Sequence, residues 1–503
     1  MLTLRIARRA NADVCWSVSV AIERCLLLNA TSMRTSKYST KSTAFTAPVS
    51  HSRRFSDAAR ARMESTSISD MSMTAPDFQQ FAELPELNEE AMKELFRFED
   101  YDCVGFDLDN TICRYKVCNM VKMEYDALAQ YLINECHYSA KYLSQPIEED
   151  GVQFMIKGLI LDVKKGNLLR IAPDGKILHA SHGSKELTQN QIISYYGPEM
   201  RWEVTDLFIR DPLHTWNGPL SESMRTLSDY FDMPVSLAFA RAVDTLDEVN
   251  NGPLDNYDIY PHIQQALQNM FQKEHFSMSK GGYFPNVISN PDNYIHKCSD
   301  NLINWFKELK KTKLLFLITG SNVDFASHTA TKSLGANWAE LFDIVICFAK
   351  KPGFFTQKRP FKALDGFVET HEVSDDDLQR GGIYTSGNWD GVYKFLKKTS
   401  GKPHPKVVYI GDHLIQDVYT PSAHTNCDTV AVCEELEAEG IYGHEKTHHD
   451  DDFLVSRRWG SYFHHNEKEN VWLDFLRKHA KLVVPSLEYV AKFPTYHRFS
   501  SLQ

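Results

Sequence analysis

The chain has 503 residues, of which 43% are hydrophobic, 12% aromatic and 24% charged. That is enough apolar material for a large core and two or three domains, with the charged share of an ordinary globular protein. A net charge of -11 excludes general affinity for nucleic acid, so any phosphate site must be locally positive or hold a metal.

Residues 1–62 carry eleven Lys and Arg against three Asp and Glu, with many Ser and Thr. This is the composition of a mitochondrial transit peptide, and Arg53 to Ser56 (RRFS) resembles a matrix-protease cleavage site. A disordered basic tail, or a start at Met63, Met71 or Met73, accounts for it equally, so residues 1–80 are set aside from the fold. The expected location is cytoplasmic or mitochondrial. DVCWSVSVAIERCLLL is broken by Glu23 and Arg24, so no membrane span is expected. The ten cysteines form no C-x-x-C pair, which argues against a zinc cluster or disulfide framework.

Residues 81–138 form a first core part. Here YDCVGFDL reads as a buried strand and MEYDALAQYLINEC as an amphipathic helix. Residues 139–290 are richer in Gly, Pro, Asn and Tyr. Within them GNLLRIAPDGKILHASHG reads as a β-hairpin pair with turns at Lys165-Gly166-Asn167 and Asp174-Gly175. This stretch is expected to be an inserted α+β cap domain. Residues 291–435 return to alternation: NLINWFKELKKT a helix, KLLFLIT a strand, NWAELFDIVICFA a helix end and strand, KVVYIGDH a strand. Residues 436–503 read as a polar loop and a C-terminal extension packing on the core. Short apolar strands between helices predict an α/β fold, a Rossmann-like, doubly wound parallel sheet with functional groups at the strands' carboxyl ends.

Four of these strands end in polar residues: Asp107, Asp109 and Thr111; Thr319, Gly320 and Ser321; Lys350 and Lys351; Asp412 and Asp417. Each group alone reads as a strand-end turn or a helix cap. Together, on parallel neighbours, they meet at one edge. Several carboxylates stay ionised together only if a cation compensates them, and an all-oxygen ligand set suits a hard ion such as Mg²⁺. One carboxylate can then attack a phosphoryl group. A second, two residues on and on the same face, can protonate the leaving oxygen.

These four segments, VGFDLDNTICRYK, FLITGSN, FDIVICFAKKPGFF and KVVYIGDHLIQDV, resemble the motifs of the haloacid dehalogenase superfamily, and more narrowly its cytosolic purine 5′-nucleotidase branch. The resemblance runs from about residue 98 to the C-terminus. It implies Asp107 as nucleophile, Asp109 as general acid/base and Lys351 as charge stabiliser. It implies Thr319, with Gly320 and Ser321, as the phosphate-binding turn. Mg²⁺ would lie on Asp107, the main-chain carbonyl of Asp109 and Asp412, supported by Asp417. Phe154 falls at the branch's cap position for base stacking. Gly320 stands where members of the branch often have Asn, and no arginine aligns with the purine-contacting one.

The expected function is a Mg²⁺-dependent phosphomonoester hydrolase acting on a small molecule, foremost nucleoside 5′-monophosphates. The alternatives are a phosphatase of another small ester and a low-turnover binding protein. Oligomeric state is left open. His444, His448, His449 and Asp450 to Asp452 read as an acidic loop and His464-His465 as a surface pair. The aromatics of YYGPEMRW and of Asp229-Tyr230-Phe231 read as cap packing.

Overall fold

The computed structural model describes residues 95–500 except 148, 218 and 447–453. The proposed transit segment and the histidine–aspartate run 448–452 lie outside them.

Sixteen strands occur among the described residues. β1 (Cys103–Phe106) is a buried apolar run. β2 (Ile160–Asp162), β3 (Asn167–Ile171), β4 (Ile177–His182), β5 (Lys185–Glu186) and β6 (Met224–Thr226) follow in the inserted segment. β7 (Leu314–Ile318), β8 (Ile344–Cys347), β9 (Phe361–Asp365), β10 (Val368–Val373), β11 (Gly382–Ser386), β12 (Val407–Gly411) and β13 (Cys427–Val432) come next. A short hairpin, β14 (His464–His465) and β15 (Lys468–Glu469), precedes β16 (Leu482–Val484).

Nine strands form one sheet, in the order β10-β9-β11-β8-β7-β1-β12-β13-β16. From β11 to β16 all neighbours are parallel; β9 alone runs against them, antiparallel to both β11 and β10. The chain starts at the centre, builds outward through β7, β8 and β11, then returns to add β12, β13 and β16 on the other side. Parallel strands covered on both faces are apolar throughout rather than alternating. β1, β8 and β12 show this, each being buried at every residue. The four strands named from the sequence are therefore contiguous, β8-β7-β1-β12.

Gly105 sits in β1 opposite Phe316 and Tyr409. Their rings stack over it at 6.3 Å, and an added Cβ would lie 2.1 Å from Phe316. On the other face Phe106 packs edge-on against Phe306, Trp305 and Phe342. Each such side chain contributes about 2 kcal/mol by burial.

β2 to β6 form a separate antiparallel sheet, order β5-β4-β3-β2-β6. The expected hairpins are present, with Gly166 and Gly175 at positive φ in their turns. The helices Val117–Asn134, Met233–Asn250 and Tyr260–Met270 pack together beside this sheet. The C-terminal segment does more than pack on the core, because β16 pairs with β13 and becomes the edge of the large sheet. At three residues, LVV is too short a run to stand out by periodicity.

Candidate active site

The carboxyl ends of β1, β7, β8 and β12 open on one cleft. Asp107 follows β1 directly, and its N–H donates to the Ile410 carbonyl, extending the ladder by one residue. The loops after β7 and β8 are tied to each other: Phe348 N–H donates to Ser321 O and Ala349 N–H to Thr319 O. Phe348 and Lys350 take left-handed backbone angles, which turns this loop back toward the sheet. Lys351 thereby reaches the centre.

Its ammonium is buried, 2.9 Å from Asp107 Oδ1, 2.6 Å from Asp417 Oδ1 and 3.3 Å from the Tyr409 hydroxyl. Burial pulls its pKa down, but Asp107 and Asp417 outweigh that, hold it above the ordinary value and keep it charged. Tyr409 donates onward to the Ile318 carbonyl. Asp417 also accepts from His413 N–H at 3.2 Å. Gly411 makes room for it, since a Cβ there would sit 2.4 Å from the Asp417 Cβ.

Asp107, Asp412 and Asp417 each bring a carboxylate oxygen within 4.8 Å of the others. Burial, then the charges of Asp107 and Asp417, push the Asp412 carboxyl well above its ordinary range. Burial pushes Asp417 up to about 7, the Asp107 charge adding to the rise and Lys351 working against it. One ammonium cannot neutralise three crowded carboxylates, and Asp107 Oδ1 has no well-aligned hydrogen-bond donor despite its burial. These residues suit a hard divalent cation. The Asp109 carboxylate is not in this trio, so the ligand set read from the sequence gains the Asp417 side chain, while Asp109 could contribute only its main chain.

Asp109 instead accepts from the Ser321 hydroxyl at 2.5 Å and the Tyr115 hydroxyl at 2.8 Å. Burial raises its pKa to about 6; these two donors work against the rise and the Asp107 charge adds to it. Ser321, expected on phosphate, thus spends its hydroxyl on Asp109, while its N–H donates to Thr319 Oγ1. Thr319 and Gly320 line the cleft as expected. Thr111 is buried and donates to Asp412 Oδ1 at 3.3 Å. Lys350 lies over the Phe348 ring and is not among the residues lining the cleft.

Phe154 is not brought here. It is buried against Trp459, with the Arg458 guanidinium 4.8 Å from its ring centre. Aromatic lining of the cleft comes instead from Phe231, Phe271, Tyr283 and Phe325, with Asp229 also in the wall. Phe231 therefore faces the cleft rather than only packing the inserted segment, whereas Tyr230 is buried under Lys157. His465 is half-buried and stacks on His179 at 4.8 Å, so the histidine pair is not a free surface feature. His444 packs on Tyr489. Sequence reasoning did not single out Tyr115, Tyr409 or His413. Tyr115 lies in the VGFDLDNTICRYK segment, but nothing local says that its hydroxyl turns back to Asp109.

An acid pair, a buried lysine and a threonine at the carboxyl edge of a parallel sheet are the equipment of a phosphoric monoester hydrolase. The profile of the 5′ nucleotidase family matches residues 92–451. Over 438 residues the chain is 32% identical to human "5′-nucleotidase domain-containing protein 1", covering 81% of this chain and 94% of the relative. The bovine protein of that name is 32% identical over 437 residues, with the same coverage. Human "5′-nucleotidase domain-containing protein 2" is 26% identical over 361 residues, 68% of this chain and 62% of its own length. The chain belongs to the 5′-nucleotidase family. No described helix is long and apolar enough to cross a membrane.

Proposed function

We propose that this chain hydrolyses nucleoside 5′-monophosphates through an aspartyl-phosphate on Asp107, in a haloacid dehalogenase-like core. The observation that carries this is the convergence on Asp107: Lys351 at 2.9 Å, two further buried carboxylates within reach, and a second acid two residues along with its own donors.

An Asp107 carboxylate oxygen attacks phosphorus and the bond to the 5′-oxygen breaks. Asp109 gives its proton to that oxygen and leaves the step as a carboxylate. It then takes a proton from water, which attacks the acyl-phosphate and regenerates Asp107. The Thr319 hydroxyl and the Gly320 N–H would hold phosphoryl oxygens, and Lys351 would offset their charge. Asp107, Asp412 and Asp417, with the Asp109 carbonyl, would hold Mg²⁺, which supplies charge neutralisation between the two anions. The nucleotide reading is supported by the relatives' names and by the aromatic side chains among those lining the cleft.

A panel of phosphate esters with Mg²⁺ tests this. Wild type should release phosphate from nucleoside 5′-monophosphates and Asp107→Asn should be reduced to background. Equal release by both proteins from every ester would refute the hydrolase mechanism, whereas turnover of sugar phosphates alone would refute only the nucleotide assignment.

A further inference from the structure

Both oxygens of Asp109 are occupied, and the two partners differ in position. Ser321, on Oδ2, lines the cleft. Tyr115, on Oδ1, does not; it is 2% exposed and stands behind the carboxyl. Tyr115 is itself fixed at two points. Its main chain bridges to Ile295, where the chain returns from the inserted segment, and its ring meets the edge of Phe231 at 5.3 Å. Phe231 lines the cleft.

We infer that Tyr115 is a positioning residue for the general acid: its hydroxyl pins Oδ1 from behind, so that Oδ2 is the oxygen presented to the ester. The inference rests on the proposed hydrolysis. When Asp107 forms its bond to phosphorus and the P–O ester bond breaks, the proton on Asp109 Oδ2 moves to the departing oxygen. Ser321 yields its bond to Oδ2 for that transfer. Without the Tyr115 hydroxyl the carboxyl keeps only the bond it must exchange, and it turns freely about its Cβ–Cγ axis. A fixed acid is worth most when the leaving group is a poor one. An alkoxide must be protonated as it departs, whereas a nitrophenolate leaves unaided.

The test compares two esters in one protein. kcat/KM on a covalent path reports the steps up to release of the alcohol, so it isolates the step in which Asp109 is an acid. It is measured for a nucleoside 5′-monophosphate and for p-nitrophenyl phosphate, in wild type, Tyr115→Phe, Asp109→Asn and Asp107→Asn, with Mg²⁺. In Tyr115→Phe the ratio of the nucleotide value to the aryl value should fall by about tenfold, a part of the 10²–10⁴ that general acids contribute. Asp109→Asn should lower the same ratio further. Equal loss on both esters would make Tyr115 a structural residue only and overturn the inference, as would no loss on either. Wild-type values at the Asp107→Asn background on both esters would overturn the hydrolase reading and this inference with it.

Discussion

Glu439 shows how strongly burial weighs on charge in this molecule. Its carboxylate accepts from the Tyr462 N–H at 2.9 Å. Burial pushes it up to about 7 from an ordinary 4.5, with the Ser321-like help of one hydroxyl, Ser461, working against that rise and the Glu435 charge adding to it. A group whose pKa is raised on folding stabilises the fold fully below its unfolded value, and that stabilisation is lost as pH rises through the folded one. Wild type should therefore lose stability through this group between about pH 4.5 and 7. Glu439→Gln keeps an acceptor for Tyr462 and removes the titration. Urea unfolding at pH 5 and pH 8 should show the variant less pH-sensitive than wild type, by on the order of 1 kcal/mol. Parallel curves would show that Glu439 is not neutral in the folded state. None of this was legible in the sequence, where the stretch from residue 436 reads only as a polar loop.

At the scale of elements, most of the candidate site could be read because the central strands are short, apolar and closed by polar residues. Periodicity and strand ends are local properties. What could not be read is long-range: Ser321 and Asp109 are 212 positions apart, and only the adjacency of β1 and β7 turns one hydroxyl toward the other. Phe154 misled for the same reason. An aromatic in the inserted segment has no local mark that says whether it faces the cleft or Trp459. The end of β12 gives a direct test. Gly411→Ala would put a Cβ 2.4 Å from that of Asp417, so Asp417 must move off Lys351. Such overpacking costs ~1–3 kcal/mol. Phosphate release should fall much more than the unfolding midpoint, and a fully active variant would show that the Asp417–Lys351 pair is dispensable.

For the molecule as a whole, the inserted segment is joined to the large sheet by a buried ion pair. Lys157 Nζ lies 2.8 Å from Glu435 Oε1, just beyond β13, and between the rings of Tyr230 and Tyr462 at 4.4 and 4.6 Å. Neither residue is more than 2% exposed. Removing one partner of such a pair leaves a bare buried charge, so Lys157→Met or Glu435→Leu alone should cost about 3–5 kcal/mol. The Lys157→Met, Glu435→Leu double variant should recover most of it, and a double-mutant cycle by denaturant unfolding reads the coupling. Additive losses would mean that the pair does not join the two parts. Of the separate antiparallel sheet, the hairpins with turns at Gly166 and Gly175 were legible in the sequence. The pair that ties the inserted segment to the large sheet was not, because 278 positions separate its members in sequence. The claim on which the whole account depends is that Asp107 carries the phosphoryl group. Acid quench in the steady state with Mg²⁺ and a nucleoside 5′-monophosphate, followed by mass spectrometry of the digested chain, tests it most directly. One phosphoryl group on the peptide bearing Asp107, absent from Asp107→Asn, is the predicted result; turnover with that peptide unmodified at every quench time would contradict it.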